Sequence, residues 1–134
     1  MQYLIDTVVL SQYLRGRAGA VMLVTPLLAQ SVTSILVYAE IIEYVRGLQN
    51  TTQWYTQVRR LMRTIRPLPL TFAIADHYAD VRRVLRPAGQ LIGDVDLLIA
   101  ATAIHHKLTI VTADSDYQRV AGLQLLLVQR DTLR

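Results

Sequence analysis

The chain has 134 residues, ten of them acidic and 14 basic, for a formal net charge of +4. That length suits one domain with its own buried core, and an apolar content of 52% with 18% charged residues excludes a disordered chain. Cysteine is absent, which removes disulfides and thiolate metal sites, and no apolar run approaches the length needed to cross a bilayer. The opening Met-Gln-Tyr-Leu-Ile-Asp lacks the basic and long apolar regions of a secretory signal, so a cytoplasmic chain is expected. Every basic residue except Lys107 is an arginine. Guanidinium forks match phosphate geometry, although a genome rich in GC produces the same bias, so charge alone leaves a nucleic-acid partner open.

In chain order, Tyr3-Leu4-Ile5 reads as a short buried strand closed by Asp6-Thr7. Residues 7–15 fit a helix ending near Gly16, residues 20–29 a second helix, and Ser31-Val32-Thr33 a second strand. Ile35 to Arg46 is helical, with Gly47 as its stop. Thr51 to Ile65 is expected to be one helix that carries Arg59, Arg63 and, just beyond, Arg66 on one face. Prolines at 67 and 69 force an extended segment over 67–70, and residues 71–86 form a helix broken by Pro87-Ala88-Gly89. Asp94 to His106 is an alanine-rich helix apolar on most sides, Leu108 to Val111 a β-branched strand, 114–119 a short helix and Leu125 to Val128 a last strand. Short apolar strands alternating with helices imply a single α/β domain over 1–134, a parallel sheet covered by helices on both faces.

Four acids ask for a common explanation. Asp6 and Asp114 each follow a strand, and ligands of open α/β sheets bind at the carboxyl ends of the strands. Asp96 enters the apolar helix with no basic residue near it in sequence. Glu40 has Leu36, Val37 and Tyr44 as helical neighbours, from which partial burial is expected. Asp6, Asp94 and Asp114 are each also explained, taken singly, as helix caps, and Glu43 with Arg46 as a surface ion pair. Carboxylates that converge repel one another unless a divalent cation such as Mg²⁺ or Mn²⁺ joins them. No glycine-rich phosphate loop is present.

Tyr3-Leu-Ile-Asp-Thr-Val-Val-Leu10, Thr33 with Ala39-Glu40, Ile92-Gly-Asp-Val-Asp-Leu-Leu-Ile-Ala-Ala101 and Val111-Thr-Ala-Asp-Ser-Asp-Tyr117 together resemble the successive motifs of the PIN domain, most closely in the VapC toxins of bacterial toxin–antitoxin pairs. The resemblance spans nearly the whole chain and implies a three-layer PIN-like fold and an endoribonuclease that uses Mg²⁺ or Mn²⁺. It puts Asp6, Glu40 and Asp96 in the places of the three principal metal-binding acids and Asp114 in the fourth, with Asp116 as its alternative. Thr7 and Thr112 match supporting hydroxyls, and Asp94 is either a helix cap, the first choice, or a ligand to a second metal. The family further implies RNA as substrate, a cognate antitoxin and a homodimer.

The phosphate grip falls to Arg59, Arg63 and Arg66 or to Arg82, Arg83 and Arg86, each set being equally readable as a solvated helix face. His105 and His106 suit the negative end of their helix, His77 stands in no motif, and Trp54 and Tyr55 suit a core or an interface. A haloacid-dehalogenase-type phosphatase would need an acid where Val8 stands, and a receiver domain a lysine on a late strand, which Lys107 precedes. The remaining rival is a PIN-like module that binds RNA or protein without cutting.

Overall fold

The computed structural model describes residues 1–134. Five strands, β1 (Tyr3–Ile5), β2 (Ser31–Ser34), β3 (Arg66–Leu68), β4 (Thr109–Thr112) and β5 (Gln124–Leu127), form one sheet in the order β3-β2-β1-β4-β5. Every pairing is parallel, with Leu4 opposite Val32 on one side and Ile110 on the other. The central strands are short, but Leu4, Ile5, Ile110 and Val111 are fully buried, as expected of strands covered on both faces.

Six helices connect them: α1 (Thr7–Leu14), α2 (Ala18–Val24), α3 (Ile35–Arg46), α4 (Thr51–Leu61), α5 (Phe72–Leu85) and α6 (Asp94–His106). The chain steps outward from β1 to β3, then returns through α5 and α6 to β4 on the far side of β1. Right-handed crossovers made in opposite directions lay their helices on opposite faces, which gives the three layers expected from the sequence. The strand order reverses between β1 and β4, so the carboxyl ends of these two strands open a crevice between them.

Local chemistry sets the element ends. The Ser34 hydroxyl accepts from the Leu36 N–H at 3.1 Å to start α3, and the Thr71 hydroxyl accepts from Ile74 N–H at 3.2 Å to start α5. Lys107 closes α6 in the left-handed conformation (φ 56°), a position usually given to glycine. Thr102 inside α6 satisfies its buried hydroxyl by donating to the Leu98 carbonyl at 2.8 Å.

Several boundaries differ from the sequence reading. The second helix is true α-helix only over Ala18–Val24 and tightens to a 3-10 turn over Thr25–Gln30, since Pro26 supplies no N–H for a longer run. The helix expected to reach Ile65 ends at Leu61, and the segment read only as extended begins as strand β3 at Arg66, which Pro67 biases away from helical backbone. Arg66 therefore leaves the helix face it was expected to share with Arg59 and Arg63. The segment after β4 is a 3-10 turn over Ser115–Arg119, and β5 lies one residue earlier than expected. Arg46 stacks over the Tyr55 ring, 5.3 Å from its centroid, and is not among the side chains paired with carboxylates, so the expected ion pair with Glu43 does not form.

The carboxyl terminus is tied down by close backbone contact. Gly19 N–H donates to the Arg134 carbonyl at 2.7 Å, and buried Leu133 anchors the terminal 3-10 turn. A Cβ at position 19 would fall 1.9 Å from the Thr132 carbonyl oxygen and 2.6 Å from that of Arg134. Both obstacles are backbone, so Gly19→Ala is expected to cost about 2–3 kcal/mol, the scale of an overpacking substitution, and to free the last turn. Chemical denaturation together with amide exchange over residues 130–134 checks this; wild-type stability with an undisturbed terminus would contradict it.

Candidate metal and active site

The carboxyl ends of β1 and β4 deliver the first two acids. Asp6 follows directly on β1, its N–H donating to the Val111 carbonyl at 3.0 Å, so the sheet ladder itself positions the residue. Its side chain is 6% exposed and does not serve as a cap to α1, which corrects the simple capping explanation. Instead, the buried Thr112 hydroxyl at the end of β4 donates to Asp6 Oδ2 at 2.7 Å and accepts from the Asp114 N–H at 3.0 Å. One threonine thus links the residues that follow two neighbouring strands. Thr33 adds a third link by donating to the Ile5 carbonyl at 2.7 Å, tying β2 to the residue before Asp6.

Glu40 comes from α3 and Asp96 from the first turn of α6. Glu40 is exposed, contrary to the burial expected from its neighbours, because Leu36 is only partly buried and Tyr44 is itself half-exposed. It is nonetheless held: the Thr7 hydroxyl donates to Glu40 Oε1 at 2.6 Å. Asp96 is half-buried and accepts from the hydroxyl of Tyr117 at 3.3 Å. Tyr117 is fully buried, and the sequence reading had assigned it no part in the site. Each of Asp6, Glu40 and Asp96 is therefore fixed by a hydroxyl from a different element.

The electrostatics place these groups in one field. Burial pushes the Asp6 carboxyl above its ordinary pKa; the Thr112 hydroxyl and the Thr7 backbone N–H counter this, and the charges of Glu40 and Asp114 add to it. Asp96 is raised to about 6, first by loss of solvent, then by repulsion from Asp6, Asp114 and Glu40, with only the Tyr117 hydroxyl opposing. The phenol of Tyr117 is driven well above the usual range by burial and by the Asp6, Asp96 and Asp114 charges, so it stays a donor. Four acids distant in sequence act on one another, and no arginine enters the account of either shifted carboxyl.

The contacts of Asp114 and Asp116 differ. Asp114 caps the 3-10 turn through Oδ1, which accepts from the Asp116 N–H at 2.9 Å, yet its charge is felt at Asp6 and Asp96. Asp116 instead lies 3.5 Å from the Arg119 guanidinium. Asp94 is the first residue of α6 and makes no cap, which corrects that expectation; it accepts from the Tyr78 hydroxyl at 3.0 Å and sits 3.5 Å from Arg82 Nε. Arg82 is thereby occupied by a carboxylate.

His105 and His106 lie in the last turn of α6, where Lys107 makes the backbone cap, and His77 from α5 packs against His105 at 5.6 Å between ring centroids. Trp54 and Tyr55 are partly buried against the core.

No three acidic or histidine side chains stand close enough to ligate one ion directly. Mg²⁺ does not require it: the ion commonly binds one or two carboxylates and keeps several waters. The donor set is all oxygen, rich in uncompensated negative charge, and anchored by neutral hydroxyl donors. It fits a hard divalent cation partly held through water.

The raised Asp96 pKa sets a pH dependence in metal-free protein. The folded state holds a proton that the unfolded chain releases near 3.8, so the penalty of the charged form is absent below that value and fully present above about 6. With solvent screening at a half-buried group, the penalty is about 1–2 kcal/mol. In chelator, stability is expected to fall as pH rises from about 4 to about 7, and Asp96→Asn to flatten that slope and raise Tm by about 3–6 °C at neutral pH. Denaturant titrations of both proteins across this range decide the matter; parallel profiles would remove Asp96 as the strained group.

Comparison with known proteins bears on the family and the fold. The PIN domain family model matches residues 3–123. Ribonuclease VapC1 of Haemophilus influenzae (strain R2866) is 29% identical over 128 residues, 92% of this chain and 96% of that protein. The structure of VapBC-1 from nontypeable Haemophilus influenzae superposes with a TM-score of 0.84 at 28% identity, covering 95% of this chain and 98% of the other. FitAcB from Neisseria gonorrhoeae gives a TM-score of 0.81 at 27% identity, covering 93% and 96%. With a parallel sheet whose strand order reverses between β1 and β4, and with the family match running through every acid of the crevice, this chain belongs to the PIN domain family.

Proposed function

We propose that the protein is a metal-dependent endoribonuclease that hydrolyses RNA phosphodiester bonds and is the toxin of a toxin–antitoxin pair. The observation that carries this is that Asp6, Glu40 and Asp96 are each held by a neutral hydroxyl, that Asp114 is tied to Asp6 through Thr112, and that none of the four has a basic partner. A module freed from catalysis would have no use for four such unpaired acids, two of them raised in pKa by burial and by the charge of the others, and this weighs against the silent binding module. The similarity to a ribonuclease of nearly equal length, and to VapBC-1 in structure, supports the same reading.

In this reading Asp6, Glu40 and Asp96 hold the cation, Mg²⁺ or Mn²⁺, with Asp114 as the fourth acid in preference to Asp116. An ion held there would lower the pKa of a water and offset charge that develops on phosphate. The chain's own residues do the rest. Thr112 and Thr7 fix the Asp6 and Glu40 carboxylates, so the sites that receive the ion need little reorganisation. Tyr117 holds Asp96 from the buried side and leaves its other oxygen for the crevice. No carboxylate need act as a nucleophile.

A cognate antitoxin and a homodimer belong to the same proposal. So does a cytoplasmic setting, with which the absence of any helix long and apolar enough to cross a membrane is compatible.

The deciding assay follows cleavage of RNA by protein freed of any co-purifying inhibitor, with Mg²⁺ or Mn²⁺ and with chelator. Cleavage is expected only with metal, and Asp6→Ala or Asp96→Ala should each lower it by at least about 100-fold, the scale of losing a charge-stabilising group. Cleavage that persists in chelator and in both variants would overturn the assignment. A further measure is thermal: saturating Mn²⁺ should raise Tm of wild type by several degrees and leave Asp6→Ala nearly unchanged, as linkage demands of a site that only the native state offers.

A further inference from the structure

A second feature, opposite in charge to the acids, lies beside β2 and β3 and reaches the carboxyl edge of the sheet through Ile35 and Tyr38 at the start of α3. Ile35 and Tyr38 from α3, Arg59 and Met62 with Arg63 from the end of α4, and Pro67 from β3 line a groove of about 430 Å³. The volume lies within the range of small-ligand sites and accommodates a nucleotide-sized group. Arg59 Nη1 lies 3.2 Å from the Tyr55 hydroxyl, and its guanidinium is 5.9 Å from the Tyr55 ring centroid, while Arg46 approaches the same ring at 5.3 Å. Arg59 also faces the hydroxyl of Tyr38.

The charge of this cluster is unmatched. The ion pairs of the protein engage Arg82, Arg119 and Arg134; Arg46, Arg59 and Arg63 have no carboxylate partner. Phenol contacts orient a guanidinium and leave its charge intact, so the groove combines positive charge with aromatic faces. The other arginine cluster on α5 differs, since Arg82 is committed to Asp94.

Position supplies the second argument. All strands are parallel, so β3 and β2 end on the same edge as β1 and β4. β3 is two strands from β1, about 10 Å along that edge. Tyr38 and Glu40 leave α3 two residues apart, which turns them to different sides of the helix, one toward the groove and one toward the acids.

We propose that the Tyr38–Arg59–Arg63 groove is a subsite for single-stranded RNA, in which Arg59 and Arg63 grip phosphates and Tyr38 stacks a base of a nucleotide beyond the two that flank the cleaved bond. This subsite extends the ribonuclease reading, because only an RNA strand crossing the carboxyl edge would meet acids and groove together. The sequence reading had Arg66 in this set. It now stands apart on β3 near His106, and Tyr38 takes its place.

The test measures binding in chelator, where nothing is cut, by fluorescence anisotropy of a labelled single-stranded RNA of about 12 nucleotides. Arg59→Gln/Arg63→Gln is expected to weaken binding roughly 10-fold at about 0.1 M salt and to reduce the slope of log K against log salt by about 1.4, the loss of two single-strand phosphate contacts. Tyr38→Ala should weaken binding by at least about 5-fold with the slope unchanged, and Tyr38→Phe should bind as wild type. With metal, the arginine variant should lose cleavage of the long RNA and keep that of a dinucleotide too short to reach the groove. Unaltered RNA affinity and slope in variants whose circular dichroism is native would overturn the subsite, as would loss of a protein partner with RNA binding intact. Wild type that binds RNA through this groove and never cleaves it would uphold the subsite while removing the nuclease reading.

Discussion

Like charges gathered at one crevice are the constraint around which the molecule is arranged. Asp6 and Asp96 lose solvent on folding, and the charges of Glu40 and Asp114 bear on both of them, which disfavours their ionised forms further. Nothing basic enters to relieve Asp6 or Asp96. What holds the acids in place is the rest of the fold: fully buried Leu4, Ile5, Ile110 and Val111 lock the strands whose ends carry Asp6 and Thr112, and buried Leu97, Ile99 and Ala100 seat the helix that carries Asp96. Neutral hydroxyls of Thr7, Thr112 and Tyr117 then orient three of the four side chains at little electrostatic cost. A salt bridge in their place would have quenched the charge that a cation needs.

The parallel sheet makes this economical in geometry. A reversal of strand order opens a crevice only where two neighbouring strands send their connections to opposite faces, and that point falls at β1 and β4. The basic groove beside β2 and β3 is connected to the acids through α3, whose first turns follow the carboxyl end of β2. α3 is the divider, carrying Glu40 on one side and Tyr38 on the other.

Much of this was legible along the chain. Asp6 and Asp114 follow apolar β-branched runs, and a parallel sheet puts such residues on one edge whatever the details. Asp96 stood out as an acid entering an apolar helix. Other features were decided by contacts that no local pattern encodes. Glu40 was read as partly buried from its one-turn neighbours, but Leu36 and Tyr44 are themselves incompletely covered, and what fixes Glu40 is a hydroxyl 33 residues earlier. Tyr117 had been given no role; its reach to Asp96 spans 21 residues and depends on how the turn after β4 folds back. Asp94 had the residue type of a cap, but the helix begins at that residue and not after it, so its carboxylate faces Tyr78 and Arg82. Arg66 was separated from its helical partners by Pro67, a signal that was present in the sequence and outweighed by the spacing of the arginines.

An acidic site that must accept phosphates faces a difficulty of its own. Without a cation it repels the backbone it is to cut, and a net charge of +4 spread over the surface falls off within a Debye length and aims at nothing. Attraction has to be local, close enough to hold a neighbouring phosphate and far enough to leave the acids unpaired. Arginines inside the crevice would satisfy the first condition and defeat the second, by taking the place of the metal. Arginines two strands away, oriented by phenols that carry no charge, satisfy both. The separation of grip from chemistry is therefore a consequence of electrostatics, and the same reasoning explains why Asp116, paired with Arg119, is the acid that stands outside the cluster.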